Sequence, residues 1–366
     1  MNQDTLAKIL QQAVDIQQIP APTFGEHARA EYVRAAFITE GLANVSIDPV
    51  GNVVACLPGQ GTAPPLVISA HLDTVFPLDT DLSLVRDDDF IHGPGIGDNA
   101  VGVAGLFGLH WSIQQQGIVL PGDVWLIANV CEEGLGDLRG MRAVVDRFRD
   151  EAKAYVILEG MALGQIYHRG LSVTRFRISL HAKGGHSWAD YGRPSAVHEI
   201  GKLIHDIASI KVPETPRSTV NVGIVTGGTS INTIADHAVM EVDLRSTDEW
   251  MLDELAVEVQ AISKAAHRDG LQVQLDQIGK RPAGSLSPED PLVTQAIECL
   301  DEVNIPPYLN IGSTDANIPL SRGLPAVCIG LTTGAGAHTL DEFINTRPLA
   351  LGMEQLLHLV VRIFRG

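Results

Sequence analysis

Cysteine is scarce in this chain, and what there is lacks pattern. Cys56, Cys131, Cys299 and Cys328 are the four in 366 residues, and none forms a C-x-x-C pair. Three lie in apolar runs, VVACL, ANVC and AVCIG, where a reduced buried thiol is the default. The expected compartment is therefore the cytoplasm. Cations are also short, with 26 Lys and Arg against 44 Asp and Glu and a formal net charge of −18. Binding phosphate needs clustered Lys and Arg, so a nucleic-acid partner is not expected. The acidic balance otherwise serves solubility. No apolar run approaches the roughly 20 residues of a membrane span. The start, MNQDTLAKILQQAVDIQQI, has no basic leader before an apolar block and reads as an amphipathic first helix.

What is present is glycine, 36 residues of it, and an alternation of strand-like and helix-like segments. A chain of this length exceeds the usual single core, so two domains are expected. LVISAH (66–71), DVWLIANVC (123–131) and AYVILE (154–159) read as buried strands, and AVGVAGLFGLHWSIQQQ (100–116) as a helix between two of them. This order predicts an α/β domain with a mixed, mainly parallel sheet flanked by helices. Ligand sites in such sheets gather at the carboxyl ends of the strands. From about Leu171 the pattern changes to strand, helix, two strands, helix, strand, the order of a ferredoxin-like α+β sandwich. The expected division is residues 1–170 with 283–366 for the larger domain, and 171–282 for the smaller one inserted into it.

Acids and histidines fall at the strand ends and in glycine-rich turns. HLDT places His71 and Asp73 two apart, so in extended chain both can point one way. His71 could then bind a metal while Asp73 accepts its other ring N–H. GPGIGDNAVG holds Asp98, CEEG holds Glu132 and Glu133, ILEG holds Glu159, and GAHTLDE holds His338. Each alone also reads as a cap, a turn or a solvated charge. Together they put carboxylates at buried strand ends, an unfavourable arrangement that a pair of divalent metals would offset. Two histidines and three carboxylates without cysteine suit zinc, with cobalt or manganese as substitutes. Of two adjacent glutamates, one can bind metal while the other faces a water and takes its proton.

With these motifs in view, the chain resembles the zinc aminoacylase and carboxypeptidase family of metallopeptidases. That family includes glutamate carboxypeptidase, acetylornithine deacetylase, succinyl-diaminopimelate desuccinylase and peptidase T. The resemblance spans essentially the whole chain, through HLDT, GIGDN, CEEG, LEG, GGHS, the NTI and DLR segments, GSTD and AHT. It implies that Asp98 bridges two metals, with His71 and Glu159 completing one site and Glu133 and His338 the other. It also implies Glu132 as general base, Asp73 as support, and a cis peptide between Asp98 and Asn99. The inserted domain resembles the family's lid and dimerisation domain. By that likeness His186 reaches a partner's active site to stabilise an oxyanion. Asn232, Arg245, Ser313 and Thr314 match substrate-binding positions.

The implied reaction is hydrolysis of the amide bond of a small peptide, as a di- or tripeptidase or a carboxypeptidase. The alternative is an N-acyl-amino-acid deacylase, and the remote one a non-catalytic peptide-binding protein. Glu159 is the residue commoner in carboxypeptidases and deacylases of the family. STDANIPLSRG and IYHRGL instead resemble peptidase T. The substrate therefore stays a small peptide or an N-acyl amino acid, and the expected assembly is a homodimer.

Overall fold

The computed structural model describes residues 1–365. The chain divides into two compact units, one of residues 1–170 with 284–366 and one of residues 171–283.

The larger unit is built on a nine-stranded sheet. Four strands form its parallel middle, in the order Val124–Asn129, Leu66–His71, Ala154–Glu159 and Ala326–Gly330. Antiparallel strands extend both sides: Val53–Leu57 and Ala43–Ile47 beyond one, Gln165–Gly170 and Gly284–Ser285 beyond the other. Tyr308–Gly312 pairs parallel to Gln165–Gly170. The sheet is thus mixed, with its parallel part central, as the continuous apolar runs predict. Every residue of Leu66–His71 is buried. Removing side chains such as Leu66 and Ile68 from water contributes about 1.5–3 kcal/mol each.

Helices cover both faces. Helices Gln3–Gln17, His27–Thr39, Val101–Gln116, Pro291–Glu302 and Leu349–Arg365 pack over one core. Arg139–Phe148 and Asn317–Ser321 cover the opposite face. The Val101–Gln116 helix is buried nearly all round, which its high apolar content allows. It packs close because Gly105 has no side chain: a Cβ there would meet Leu331 Cδ1 at 2.3 Å. Alternation decides which strand ends meet. Val67, Ile127, Tyr155 and Ile157 belong to the core under Arg139–Phe148. By the two-residue period, His71, Asn129 and Glu159 leave their strands on that same face. A small antiparallel sheet, Val85–Arg86, Phe90–His92, Phe343–Asn345 and Thr333–Ala335, ties the 93–99 loop to the 336–342 loop.

The second unit is a four-stranded antiparallel sheet in the order Ser218–Gly227, His237–Ser246, Ser172–Ala182 and Leu271–Arg281. Numbering the strands by sequence gives 2-3-1-4, the ferredoxin-like order. Phe176, Ile178 and Leu180 alternate inward and pack with helices Ala196–Ala208 and Glu249–Ala266. The other face carries cross-strand ion pairs, Arg175 with Asp243 at 2.9 Å and Arg177 with Glu241 at 2.7 Å. Asp248 starts the second helix by accepting the Met251 N–H.

Candidate metal centre

Asp98 stands between two histidines. Its Oδ1 lies 3.1 Å from His71 Nε2 and its Oδ2 lies 3.2 Å from His338 Nε2. Each histidine also faces a carboxylate of its own. His71 Nε2 is 3.8 Å from Glu159 Oε2, and His338 Nε2 is 3.1 Å from Glu133 Oε1. The donor atoms of His71, Asp98 and Glu133 lie within 4.8 Å of one another. Two tetrahedral ligands at about 2.1 Å from one zinc are separated by about 3.4 Å. The observed spacings of 3.1–3.8 Å bracket that value, so the donor set fits two cations sharing Asp98.

The electrostatics ask for positive charge. Burial opposes a cation on His71, yet its hydrogen bonds to Asp98 and Glu159 outweigh that and hold its pKa well above the usual value. Hydrogen bonds to Asp98 and Glu133 raise His338 to about 10. Burial works to raise Asp98, but the two histidines hold it below the ordinary carboxylate range. Burial raises Glu159. A cluster of perturbed groups around one bridging carboxylate is the pattern of a functional site.

Local structure explains how these side chains are held. His71 ends its buried strand, and its Nδ1 meets the backbone carbonyl oxygen of Asp73 at 3.0 Å. The sequence leads one to expect the Asp73 carboxylate in that place, but Asp73 Oδ1 is 3.7 Å away. That carboxylate instead accepts the backbone N–H groups of Glu132 and Glu133, each at 2.9 Å, and the Thr23 hydroxyl at 2.9 Å. These three donors hold the carboxylate toward Thr23 and the backbone of Glu132 and Glu133. Glu132 is buried and is oriented through this backbone bond.

The Asp98–Asn99 peptide is cis, and Asn99 is fully buried. The Asn99 amide donates to Leu158 O at 2.8 Å and accepts the Gly160 N–H at 3.0 Å, so it grips both sides of Glu159. Gly160 permits this approach, since a Cβ there would lie 2.0 Å from Gly97 O.

Several supporting groups escape sequence reasoning. Glu342, fully buried, accepts the N–H groups of Gly95, Gly97 and Asp98. Burial pushes its carboxyl up to about 7 against those donors. Glu26 accepts the Cys131 N–H at 3.1 Å, just ahead of the two glutamates. Arg29 is buried and donates to Leu72 O at 2.6 Å. Burial lowers its pKa to about 10, while Asp73 and Glu26 resist that. Asp315 is fully buried and accepts the Asn129 amide at 2.6 Å, with burial pushing it up to about 7. The DE of GAHTLDE and the D of GSTD were visible as motif letters, but nothing in spacing says what they touch.

The remaining residues singled out in the sequence lie as follows. Thr314 Oγ1 accepts the Ala316 N–H at 3.2 Å, and Ser313 beside it is half-buried. In the second unit, His186 and Asn232 come together in a two-stranded ribbon, where Ser187 N–H donates to Asn232 O at 3.0 Å. His186 Nδ1 accepts the Trp188 N–H at 3.2 Å, which leaves the hydrogen of the neutral ring on Nε2. Arg245 Nε donates to Asp243 Oδ2 at 2.7 Å, and the arginine side chain is 41% exposed.

The profile of the peptidase family M20/M25/M40 matches residues 67–362. A succinyl-diaminopimelate desuccinylase of Corynebacterium glutamicum is 25% identical over 343 residues, covering 91% of this chain and 90% of that one. Among solved structures, a tripeptidase from Staphylococcus aureus superposes with a TM-score of 0.81 at 22% identity, covering 99% of both chains. A dinuclear metal-binding peptidase of Bacillus subtilis superposes at 0.69 with 18% identity, covering 100% of this chain and 99% of that one. With a family profile over most of its length, this chain belongs to the peptidase family M20/M25/M40 and is a hydrolase.

Proposed function

We propose that this protein is a two-zinc exopeptidase that cleaves the amide bond of small peptides. The observation that carries the reading is Asp98, set between two histidines that each face a further carboxylate. His71, Asp98 and Glu159 would hold one metal, and Asp98, Glu133 and His338 the other. Zinc suits this set, and cobalt or manganese could replace it. Bound metals would polarise the scissile carbonyl and lower the pKa of a water at the site.

The protein's own groups supply the proton transfers and the grip on substrate. Glu132, buried and adjacent to a ligand, takes a proton from the attacking water and returns it to the leaving amine. Asp73 holds Glu132 and Glu133 through their backbone amides. His186 of a partner subunit donates its Nε2–H to the developing oxyanion. Arg245 binds the substrate carboxylate, with Asn232, Ser313 and Thr314 adding hydrogen bonds at the same end.

A homodimer through residues 171–283 accords with the surface of that unit. Trp188 and Tyr191 are 88% and 90% exposed, and the edge strand Ser218–Gly227 carries exposed Ile224 and Val225. Unpaired edges and exposed apolar side chains are features that partners cover. All four cysteines are free and buried, consistent with a reducing cytoplasm. No described helix is long and apolar enough to cross a membrane.

The second reading is an N-acyl-amino-acid deacylase using the same machinery, favoured by the likeness to a desuccinylase over most of the chain. A panel of di- and tripeptides and N-acetyl and N-succinyl amino acids, assayed after zinc loading and after chelation, separates the two. Metal-dependent release of amino acids from peptides supports the exopeptidase. Release of acetate or succinate alone supports the deacylase, and no metal-dependent hydrolysis of any member contradicts both.

A further inference from the structure

Glu342 contributes no ligand to the arrangement above, yet it touches the segment that carries Asp98 along most of its length. Its Oε1 accepts Gly97 N–H at 2.7 Å and Asp98 N–H at 2.8 Å, and its Oε2 accepts Gly95 N–H at 2.9 Å. Its backbone oxygen accepts Gly93 N–H at 2.8 Å. The side chain is fully buried. The N–H groups of Gly95, Gly97 and Asp98 converge in this tight turn, the kind of backbone that binds an anion, and a carboxylate of the same chain fills it.

The source of that carboxylate matters as much as the contact. Glu342 closes the loop that presents His338, where Thr339 N–H donates to Gly336 O and Glu342 N–H to Thr339 O. The next residue, Phe343, pairs with His92 in the small sheet. His338 and Asp98 lie 240 residues apart by number, and their own contact is 3.2 Å. His338 is 54% exposed at its side chain, so packing does little to fix it. The clamp through Glu342 does.

We infer that Glu342 is a positioning residue that locks the Asp98 turn to the His338 loop and thereby sets the geometry of the metal site those two share with Glu133. The inference rests on the two-metal reading given above. Asp98 is held on its other side by Asn99, which grips the Glu159 strand end independently of Glu342. Loosening Glu342 should therefore harm one metal site more than the other. That asymmetry separates positioning from general stability.

Glu342→Gln is the decisive variant, because it keeps the shape and cannot supply acceptors to all three amides. One end of a glutamine is an N–H₂ group, so either Gly95 or the Gly97–Asp98 pair meets a donor. Metal-free wild-type protein and E342Q are titrated with zinc by calorimetry, with circular dichroism showing that each is folded. E342A serves as a second variant where it folds. The expected result is two equivalents bound by wild type, and in E342Q one equivalent weakened about 10–100-fold while the other changes much less. Two equivalents bound by a folded E342Q with wild-type affinities would overturn the inference and leave the two-metal reading standing. Equal weakening of both, together with a lower melting temperature, would also overturn it, since that marks general loosening. A wild type that binds no zinc would remove the reading and the inference together.

Discussion

The carboxylate of Asp73 accepts the backbone amides of Glu132 and Glu133, both at 2.9 Å, while its main-chain oxygen meets His71 Nδ1 at 3.0 Å. One residue thus fixes the proposed base, the backbone of one proposed ligand and the ring of another. Replacing it leaves two buried N–H groups without an acceptor, each costing roughly 1–3 kcal/mol. Asp73→Ala should lower the urea midpoint and reduce kcat/KM by about 10–100-fold. Urea titration and steady-state kinetics on the best panel substrate measure both. Unchanged values would refute the supporting role.

The proposed mechanism gives the neighbours Glu132 and Glu133 separate duties. Glu132→Gln should leave the zinc content unchanged and lower kcat by about 10²–10⁴, the usual contribution of a positioned base. Loss of zinc from E132Q, measured by atomic spectrometry, would mean that Glu132 is a ligand. Near-normal turnover would mean that the base lies elsewhere.

Asp315, which is not among the proposed ligands, gives a pH prediction. Its pKa rises on folding from 3.8 to about 7, mainly through burial. The native state then holds a proton that the unfolded chain releases, so this group's stabilisation is present below about pH 4 and lost as pH rises toward 7. At about 1.36 kcal/mol per pK unit, the loss is on the order of 4 kcal/mol at most. Asp315→Asn removes the titration. In chelator, the stability of D315N relative to wild type should rise between pH 4 and 8, read from urea midpoints. A constant difference across that range would contradict the assignment.

The dimer and the role of His186 can be tested together. E132Q and H186A should each be impaired alone. If His186 acts in a partner's site, mixed dimers contain one site with both Glu132 and a His186 beside it. Co-refolding the two variants in equal amounts should restore roughly a quarter of wild-type activity. No recovery in a mixture shown by native mass spectrometry to contain heterodimers would place His186 outside the partner's site.

Reading the sequence alone singles out the proposed ligands more readily than the groups that hold them, and the reason is physical. His71, Glu133 and Glu159 lie at or just past the ends of buried strands, and apolar runs mark such ends plainly. Period-two alternation likewise marks the 172–182 strand of the second unit, because one face is solvated. Glu342, Glu26 and Arg29 announce nothing of the kind, since each acts on backbone groups far away in sequence or across a turn. The Asp73 expectation failed in detail for a related reason. Two-residue spacing says which side chains share a face, but not that two amides from a loop beyond residue 130 arrive to claim the carboxylate. Arg245 was readable as a cation on a strand, while its partner Asp243 two residues earlier was the plain neighbour on the same face.

Zinc stoichiometry followed alongside catalysis comes closest to the heart of the proposal. Chelated protein is titrated with zinc while bound metal and hydrolysis of the best panel substrate are measured on the same samples. Two equivalents per chain, with full activity reached only as the second fills, is the predicted result. Saturation at one equivalent or fewer, or hydrolysis that persists unchanged in chelator, would contradict a two-metal centre bridged by Asp98.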